Sequence, residues 1–337
     1  MSDQRLAVVG ATGAVGRTMI GVLSERDFPL ADLRLLASAR SAGTVVETRW
    51  GDVRVEDLAT ADPTGIDIAL FSAGAERSLT FAPKFVESGA VVVDNSSAFR
   101  RVEDVPLVVA GLNDDAIGRH HGIIANPNCT TITLVMAAGP LHRAASIERV
   151  IATSYQSVSG SGQRGIDELS RQVDLLGRDR GALVTGAWKE PGGDLYVRPI
   201  GWNVLPYAGI DSAFGYTDEE WKLVNETRKI LESPDIVVEP TCVRVPVMVG
   251  HGVAASLTFR RAMEIDEAVA LLVAAPGVDL WIDSVPTPLD CAGRDEVLVG
   301  RVRRTLGQPG GVNLWAVGDN LRKGAALNAV QIAELLL

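Results

Sequence analysis

The segment Asn126-Pro127-Asn128-Cys129-Thr130-Thr131 sets a cysteine between turn-forming residues and the start of an apolar helical pattern. A thiol there lies among the unpaired N–H groups and positive dipole end of a helix, which stabilise its thiolate and should lower its pKa. Pro127 fixes the approach of the chain. Most free cysteines are small core residues, and Cys242, inside a strand pattern, and Cys291, in a polar loop, take that reading. A nucleophilic thiol also needs a base from elsewhere in the chain. Of the four histidines, His120 and His121 are neighbours in a polar loop and cannot face one target together. His142 falls near a helix C-terminus, where a cation is favoured for structural reasons. His251 stands between Gly250 and Gly252 at the end of an apolar strand, with room to face a cleft; by its surroundings it fits a structural and a functional histidine equally. No C-x-x-C or H-x-x-x-H spacing occurs, so no metal site is expected.

The run Gly10-Ala-Thr-Gly13-Ala-Val-Gly16 joins a strand pattern to a helix pattern. A tight glycine turn lets backbone approach a pyrophosphate, and the helix end offers free N–H groups. The spacing is G-x-x-G-x-x-G, and a plain strand-to-helix turn would also fit it. Its place inside a βαβ unit favours a dinucleotide. NAD-binding chains usually carry a carboxylate after the second strand; this chain has Ser38-Ala39-Arg40-Ser41. Arg40, alone a solvated loop residue, can pair with a 2′-phosphate where the acid is missing, which points to NADP. A dinucleotide beside an activated thiol suggests one chemistry: the thiolate adds to an aldehyde, the adduct loses hydride, and a thioester remains.

The elements that must position these groups alternate in the first third of the chain. Strand patterns cover 6–9, 33–37, 66–71, 91–94, 107–110 and 123–125, and helix patterns 14–26, 75–88 and 130–144. Continuous apolar strands imply helices on both sheet faces, a Rossmann-type doubly wound sheet. From about residue 147 the strands lengthen and alternate, at 150–159, 237–248, 253–261 and 297–305, with helices at 165–176, 217–232 and 265–275. That pattern predicts a second α+β domain with a mostly antiparallel sheet. Residues 177–201 read as a long loop or arm, and 325–337 as an apolar-faced helix.

The chain has 337 residues, enough for about two domains. Its 32 basic and 42 acidic side chains leave a net charge of −10, which offers nothing to nucleic acid. No apolar run approaches the roughly 20 residues of a membrane span, and the first residues lack the features of a signal peptide. Three cysteines make no disulfide framework and fit a reducing compartment. The expectation is a soluble cytoplasmic protein.

Taken in order, these motifs resemble the aspartate-semialdehyde dehydrogenase family, from the first strand to the last helix. The resemblance is carried by 10–16, 38–43, Ser96-Ser-Ala-Phe-Arg100, 126–131, Ser154-Tyr-Gln-Ser-Val-Ser-Gly-Ser-Gly162, Tyr216-Thr-Asp-Glu-Glu-Trp-Lys222, Thr241-Cys-Val-Arg-Val-Pro246, Gly250-His251 and 318–328. It implies that L-aspartate 4-semialdehyde, inorganic phosphate and NADP+ interconvert with 4-phospho-L-aspartate and NADPH, on the route to diaminopimelate, lysine, methionine and threonine. It implies Cys129 as nucleophile, His251 as general acid/base and Gln156 as the residue orienting substrate. Arg244 would grip the α-carboxylate and Glu219 would face the α-ammonium group, while Arg100 and Lys222 would hold phosphate. Glu219 and Lys222 do share a helix face by spacing, although a solvated ion pair fits that spacing too. Gly10, Thr12, Gly13, Ala14, Val15, Arg40, Ser41, Ser159, Gly160 and Asn320 would contact the cofactor. The resemblance further implies an NADP-binding domain of residues 1–129 plus 320–337, a catalytic and dimerisation domain of 130–319, and a homodimer or homotetramer.

Two positions depart from the family pattern: Gly252 after the histidine, and Gly201-Trp202 in the arm. They touch pocket shape, not a catalytic identity. The competing readings are an N-acetyl-glutamyl-phosphate reductase-like enzyme, for which the carboxylate of Glu219 would make little sense, and a non-catalytic NADP-binding relative, against which Cys129, Gln156, Arg244 and His251 together argue.

Overall fold

The computed structural model describes residues 4–337 as two compact units. The first holds the described residues to Ile132 together with Arg228–Ser233 and Leu321–Leu337, and the second Thr133–Thr227 and Pro234–Asn320.

In the first unit, β1 (Gln4–Val9), β2 (Leu30–Ala37), β4 (Gly51–Asp57), β5 (Ile68–Phe71), β6 (Val91–Asp94) and β7 (Ile123–Ala125) run parallel, and β3 (Val45–Thr48) pairs antiparallel at the edge. The order is β3-β4-β2-β1-β5-β6-β7. Helices α1 (Ala14–Glu25) and α2 (Ala75–Glu87) lie between strands, and α3 (Cys129–Ala145) begins in this unit. The central strand is apolar throughout because both its faces are covered: Leu6, Ala7, Val8 and Val9 are all buried. The sequence reading missed β3 and β4, which are half exposed and rich in Thr, Glu, Asp and Arg. Residues 107–110 are no strand; only Leu107 bridges to Ala125, and the buried apolar run there is irregular chain.

The second unit carries β8 (Ile147–Gln156), β9 (Val237–Arg244), β10 (His251–Phe259), β11 (Val278–Trp281), β12 (Val297–Arg304) and β13 (Val312–Gly318), in the order β11-β12-β13-β10-β8-β9. The three central pairings are antiparallel, and β8–β9 and β11–β12 at the two sides are parallel, so the sheet is mixed, with its antiparallel strands at the centre. Its helices are α4 (Gln163–Leu176), α5 (Arg180–Thr185), α6 (Asp218–Ile230, whose last turn is counted with the first unit), α7 (Ile265–Val273) and α8 (Pro288–Cys291). The arm therefore contains a 3₁₀ turn over Gly177–Asp179 and a short α-helix, α5, started by the Asp179 side chain accepting from the Ala182 N–H and ended by Gly186 in the left-handed region. Cys291 closes α8 and is fully buried, not in a polar loop.

The chain ends in a π turn over Arg322–Ala326 and α9 (Leu327–Glu334). Ala326, Leu327, Val330 and Ile332 are buried in the same cluster as Leu6, Val8, Met19 and Leu23, so the final helix completes the core of the first unit.

Candidate active site

In the first unit, the turns after the carboxyl ends of β1, β2, β6 and β7 carry most of the candidate groups. That edge is where doubly wound sheets bind ligands. Gly10 has φ +90°, and a Cβ there would stand 2.3 Å from the Ser72 carbonyl oxygen, so only glycine fits. Gly13 precedes α1 with no side chain capping its first turn, which leaves the helix mouth to an anion. Thr12 Oγ1 donates to Ser41 Oγ at 3.3 Å, joining the glycine turn to the turn of Arg40, which is exposed. These residues fit a dinucleotide phosphate. Ala14 and Val15 are the first two residues of α1.

Cys129 is the first residue of α3 and half-buried. Asn128 Oδ1 accepts from the N–H groups of Thr130 (2.9 Å) and Thr131 (3.3 Å), capping the helix at the thiol. Arg100 is buried and donates through Nε to the Asn126 carbonyl (2.9 Å) and through Nη2 to that of Asn95 (2.7 Å). Asp94 accepts from the Ser78 and Ser96 hydroxyls, each at 2.6 Å; burial raises its pKa from the ordinary value against those bonds. The Asn95 amide, not singled out from the sequence, has no hydrogen-bond partner among the described residues for either side-chain atom.

In the second unit, adjacent strands align Gln156, Arg244 and His251 in register: His251 pairs with Gln156, which pairs with Arg244. The predicted strands over 150–159 and 237–248 stop at these residues. Beyond Gln156 the chain tightens into a 3₁₀ turn over Val158–Ser161. Gln156 Nε2 donates to Glu219 Oε1 at 3.0 Å, and Lys222 Nζ donates to Glu219 Oε2 at 3.0 Å and Asp218 Oδ2 at 2.8 Å. Burial, the largest single effect, pulls the Lys222 pKa down, but Glu219 and Asp218 together raise it above its ordinary value, so the ammonium persists. Arg244 Nη1 donates to the Ser157 carbonyl at 2.7 Å, its guanidinium lies 5.9 Å from the centre of the Tyr196 ring, and its Nε has no partner among the described residues. A Cβ on Gly160 would come within 3.1 Å of His251 Nε2 and 3.2 Å of Arg244 Nη1, so the glycine keeps that space open.

His251 is fully buried, and its Nδ1 accepts from the Ser157 N–H at 3.1 Å, beside the Ser157 hydroxyl, also 3.1 Å away. An acceptor Nδ1 places the proton of the neutral ring on Nε2. Asn320 Oδ1 accepts from the Gly250 N–H and the Ser157 and Ser159 hydroxyls. Burial, and then the Arg244 charge, pushes the His251 pKa down to about 3. The unfolded chain therefore takes up a proton between pH 6.5 and 3 that the folded chain refuses, and stability falls as pH drops through that window. His251→Gln should lose about 2 kcal/mol less stability than wild type between pH 7 and pH 5, read as a smaller fall in Tm. Equal falls would show that His251 is not a buried neutral group. His142, lowered in the same direction by burial, is common to both proteins. It accepts from the Ile147 N–H through Nδ1 at 3.0 Å, so a neutral ring, not the expected cation, closes α3.

Cys242 and Cys291 are buried, and burial pushes both thiols up to about 12, which makes them inert at neutral pH. Among the described residues, no cluster of His, Cys, Asp and Glu could hold a metal ion, and no helix is long and apolar enough to cross a membrane.

Residues 5–120 match the family model for the semialdehyde dehydrogenase NAD binding domain, and residues 139–323 that for the semialdehyde dehydrogenase dimerisation domain. The aspartate-semialdehyde dehydrogenase of Streptomyces akiyoshiensis is 50% identical over 339 residues, covering 98% of each chain. The chain belongs to the aspartate-semialdehyde dehydrogenase family. Among solved structures, aspartate semialdehyde dehydrogenase II of Vibrio cholerae complexed with ASA superposes with a TM-score of 0.94 at 44% identity, over 100% of this chain and 98% of that one. The Candida albicans aspartate semialdehyde dehydrogenase with NADP gives 0.75 at 26% identity, over 99% and 98%. As an aspartate-semialdehyde dehydrogenase family member the chain is a dehydrogenase with a nicotinamide-nucleotide domain. These matches lend no support to the N-acetyl-glutamyl-phosphate reductase or non-catalytic alternatives.

The departures from the family pattern have packing causes. A Cβ on Gly252 would stand 2.1 Å from the Trp315 ring, and one on Gly201 2.7 Å from Gln172 Cβ. Trp202 takes φ +57° and donates through Nε1 to the Val173 carbonyl.

Proposed function

We propose that the chain interconverts L-aspartate 4-semialdehyde and phosphate with 4-phospho-L-aspartate through a thioester on Cys129, using NADP. The observation that carries the reading is the Asn128-capped turn that sets the Cys129 thiol at the first position of α3.

In the oxidative direction the Cys129 thiolate attacks the aldehyde carbon and a C–S bond forms. The carbonyl electron pair moves to oxygen, to which the Nε2–H of His251 donates as the acid, and it returns to form the thioester C=O as the C–H electron pair departs. The bound nucleotide supplies the hydride acceptor, or the donor in reverse. A phosphate oxygen then attacks the thioester carbonyl, the C–S bond breaks, and the thiolate is restored as acyl phosphate leaves. Arg244 grips the α-carboxylate, and its unpartnered Nε supports that role. Glu219 faces the α-ammonium group, and Gln156, bonded to Glu219, orients the carbonyl. Arg100 and Lys222 hold phosphate; Lys222 gives two of its three donors to Asp218 and Glu219.

Gly10, Thr12, Gly13, Ala14, Val15, Arg40, Ser41, Ser159, Gly160 and Asn320 serve the nucleotide. No acidic residue follows β2, and Arg40 stands exposed in its place, which favours the extra phosphate of NADP. Exposed Val184, Ile210 and Phe214, within the segment similar to a dimerisation domain, support a homodimer or a homotetramer. A thiol that must stay reduced suits the cytoplasm, where the product would feed lysine, methionine and threonine synthesis.

The test is NADPH formation from the semialdehyde. It should require phosphate and prefer NADP+ to NAD+, and Arg40→Ala should weaken NADP binding about 10-fold or more while changing NAD binding little. A folded, NADP-binding protein without phosphate-dependent turnover would overturn the reading. Equal losses for both nucleotides would remove Arg40 from cofactor choice.

A further inference from the structure

The far end of the chain reaches the turn that carries the thiol through one fully used side-chain amide. Asn328, the second residue of α9, is wholly buried. Its Nδ2 donates to the Val108 carbonyl at 2.9 Å and to Asn126 Oδ1 at 2.6 Å. Its Oδ1 accepts from the Ala110 N–H at 2.9 Å and from Lys323 Nζ at 3.2 Å. Two donors and two acceptor positions are the whole capacity of an amide. Turning the group over would set oxygen against two oxygens and NH₂ against two donors, so the network fixes its orientation. Lys323 is itself buried and also donates to the Ala110 carbonyl and to Gln331 Oε1, each at 2.8 Å.

Asn126 is a junction. Its N–H donates to the Asp94 carbonyl, its own carbonyl accepts from Arg100 Nε, and its Nδ2 donates to the Pro127 carbonyl at 3.3 Å. Cys129 follows three residues later. The Asn328–Asn126 bond adds a buried side-chain tie to the backbone bonds that join this turn to Asp94 and Arg100.

We propose that Asn328, braced by Lys323, is a positioning residue for Cys129, acting through Asn126. The proposal rests on the reading of Cys129 as nucleophile. Removing the amide leaves Asn126 Oδ1 and the Val108 carbonyl buried without that donor, and the turn shifts to recover one. A displacement of about 1 Å at a reacting group can cost about 100-fold in rate.

The experiment compares Asn328→Ala, Asn328→Asp, Asn126→Ala and the double Asn126→Ala/Asn328→Ala protein with wild type. Asn328→Asp keeps the shape and the acceptor for Lys323 but sets an oxygen against two oxygens. The readouts are kcat at saturating substrate, Kd for NADP, and the pH dependence of Cys129 alkylation by iodoacetamide. The expected result is a 10- to 100-fold fall in kcat for each single variant, a Kd within twofold of wild type, a raised pH midpoint for alkylation, and a double variant no slower than the slower single one. Wild-type kcat in Asn328→Ala, losses that multiply in the double variant, or a kcat loss matched by loss of NADP binding would overturn the proposal. If Asn328→Ala does not fold, Asn328→Ser, which keeps one hydrogen-bonding group, carries the same measurements. Acylation of wild-type Cys129 is measured alongside: its absence would fail the nucleophile reading, whereas its presence with unaltered Asn328 variants would fail only the positioning role.

Discussion

Cys129→Ala should lower turnover by at least about 10⁴-fold while leaving NADP affinity within about twofold of wild type. The size follows from the role. A nucleophile that carries the acyl group cannot be replaced by binding and orientation alone, and its loss removes the covalent route altogether. The binding half follows from the fold. The glycine turn, the α1 mouth and the Arg40 turn are built by β1, β2 and their connections, and the thiol takes no part in them. Alanine is also a good residue at the first position of a helix whose cap, Asn128, lies one residue earlier. The change should therefore leave folding unaffected. Substantial dehydrogenase activity in this variant would remove the thiol from the mechanism, and Cys242 and Cys291, buried with thiols at about 12, could not take its place.

The second large effect is expected at Arg244. Arg244→Lys should raise KM for the semialdehyde by about 100-fold, with a smaller change in kcat. A guanidinium presents a planar fork that grips a carboxylate with two parallel bonds, and an ammonium is a point charge on a flexible stem. Here the fork is also held in place: one arm donates to the Ser157 carbonyl, and the plane lies against Tyr196. Lysine can reproduce neither restraint. The charge is kept, so the Coulombic push that Arg244 exerts on His251 is largely kept too, and a pH profile close to wild type should accompany the raised KM. Initial rates over a range of semialdehyde concentrations check this. An unchanged KM would assign the α-carboxylate to a different residue.

Much of this was legible in the residues themselves. Gly10-Ala-Thr-Gly13-Ala-Val-Gly16 announced a strand–turn–helix because the left-handed Gly10 admits no other side chain. The buried strands of the first unit were readable because a central parallel strand is apolar on both faces. Strands β3 and β4 escaped because an exposed edge pair carries no such signal, and 107–110 misled because burial of irregular chain looks the same as burial of a strand. The ends of β8 and β9 were placed too late: Val158, Val245 and Val247 still read as strand residues, but past Gln156 the Ser157 N–H goes to His251 Nδ1 and the Val158 and Ser159 N–H groups go to the Val247 and Met248 carbonyls. What the sequence could not show is pairing at a distance. Ser157 on His251, Tyr196 on Arg244 and Asn328 on Asn126 join residues far apart in the chain, and no local pattern marks any of them.

The most direct test is the fate of the Cys129 sulfur during one turnover. The wild-type protein is mixed with aspartate semialdehyde and NADP+ without phosphate, quenched in acid and digested, and the acylated peptide is located by mass. One aspartyl group should sit on the peptide containing Cys129, with about one NADPH formed per acylated chain, and added phosphate should release it as acyl phosphate. Acylation of another residue, or NADPH formed with no acyl group on Cys129, would contradict a thioester at this position.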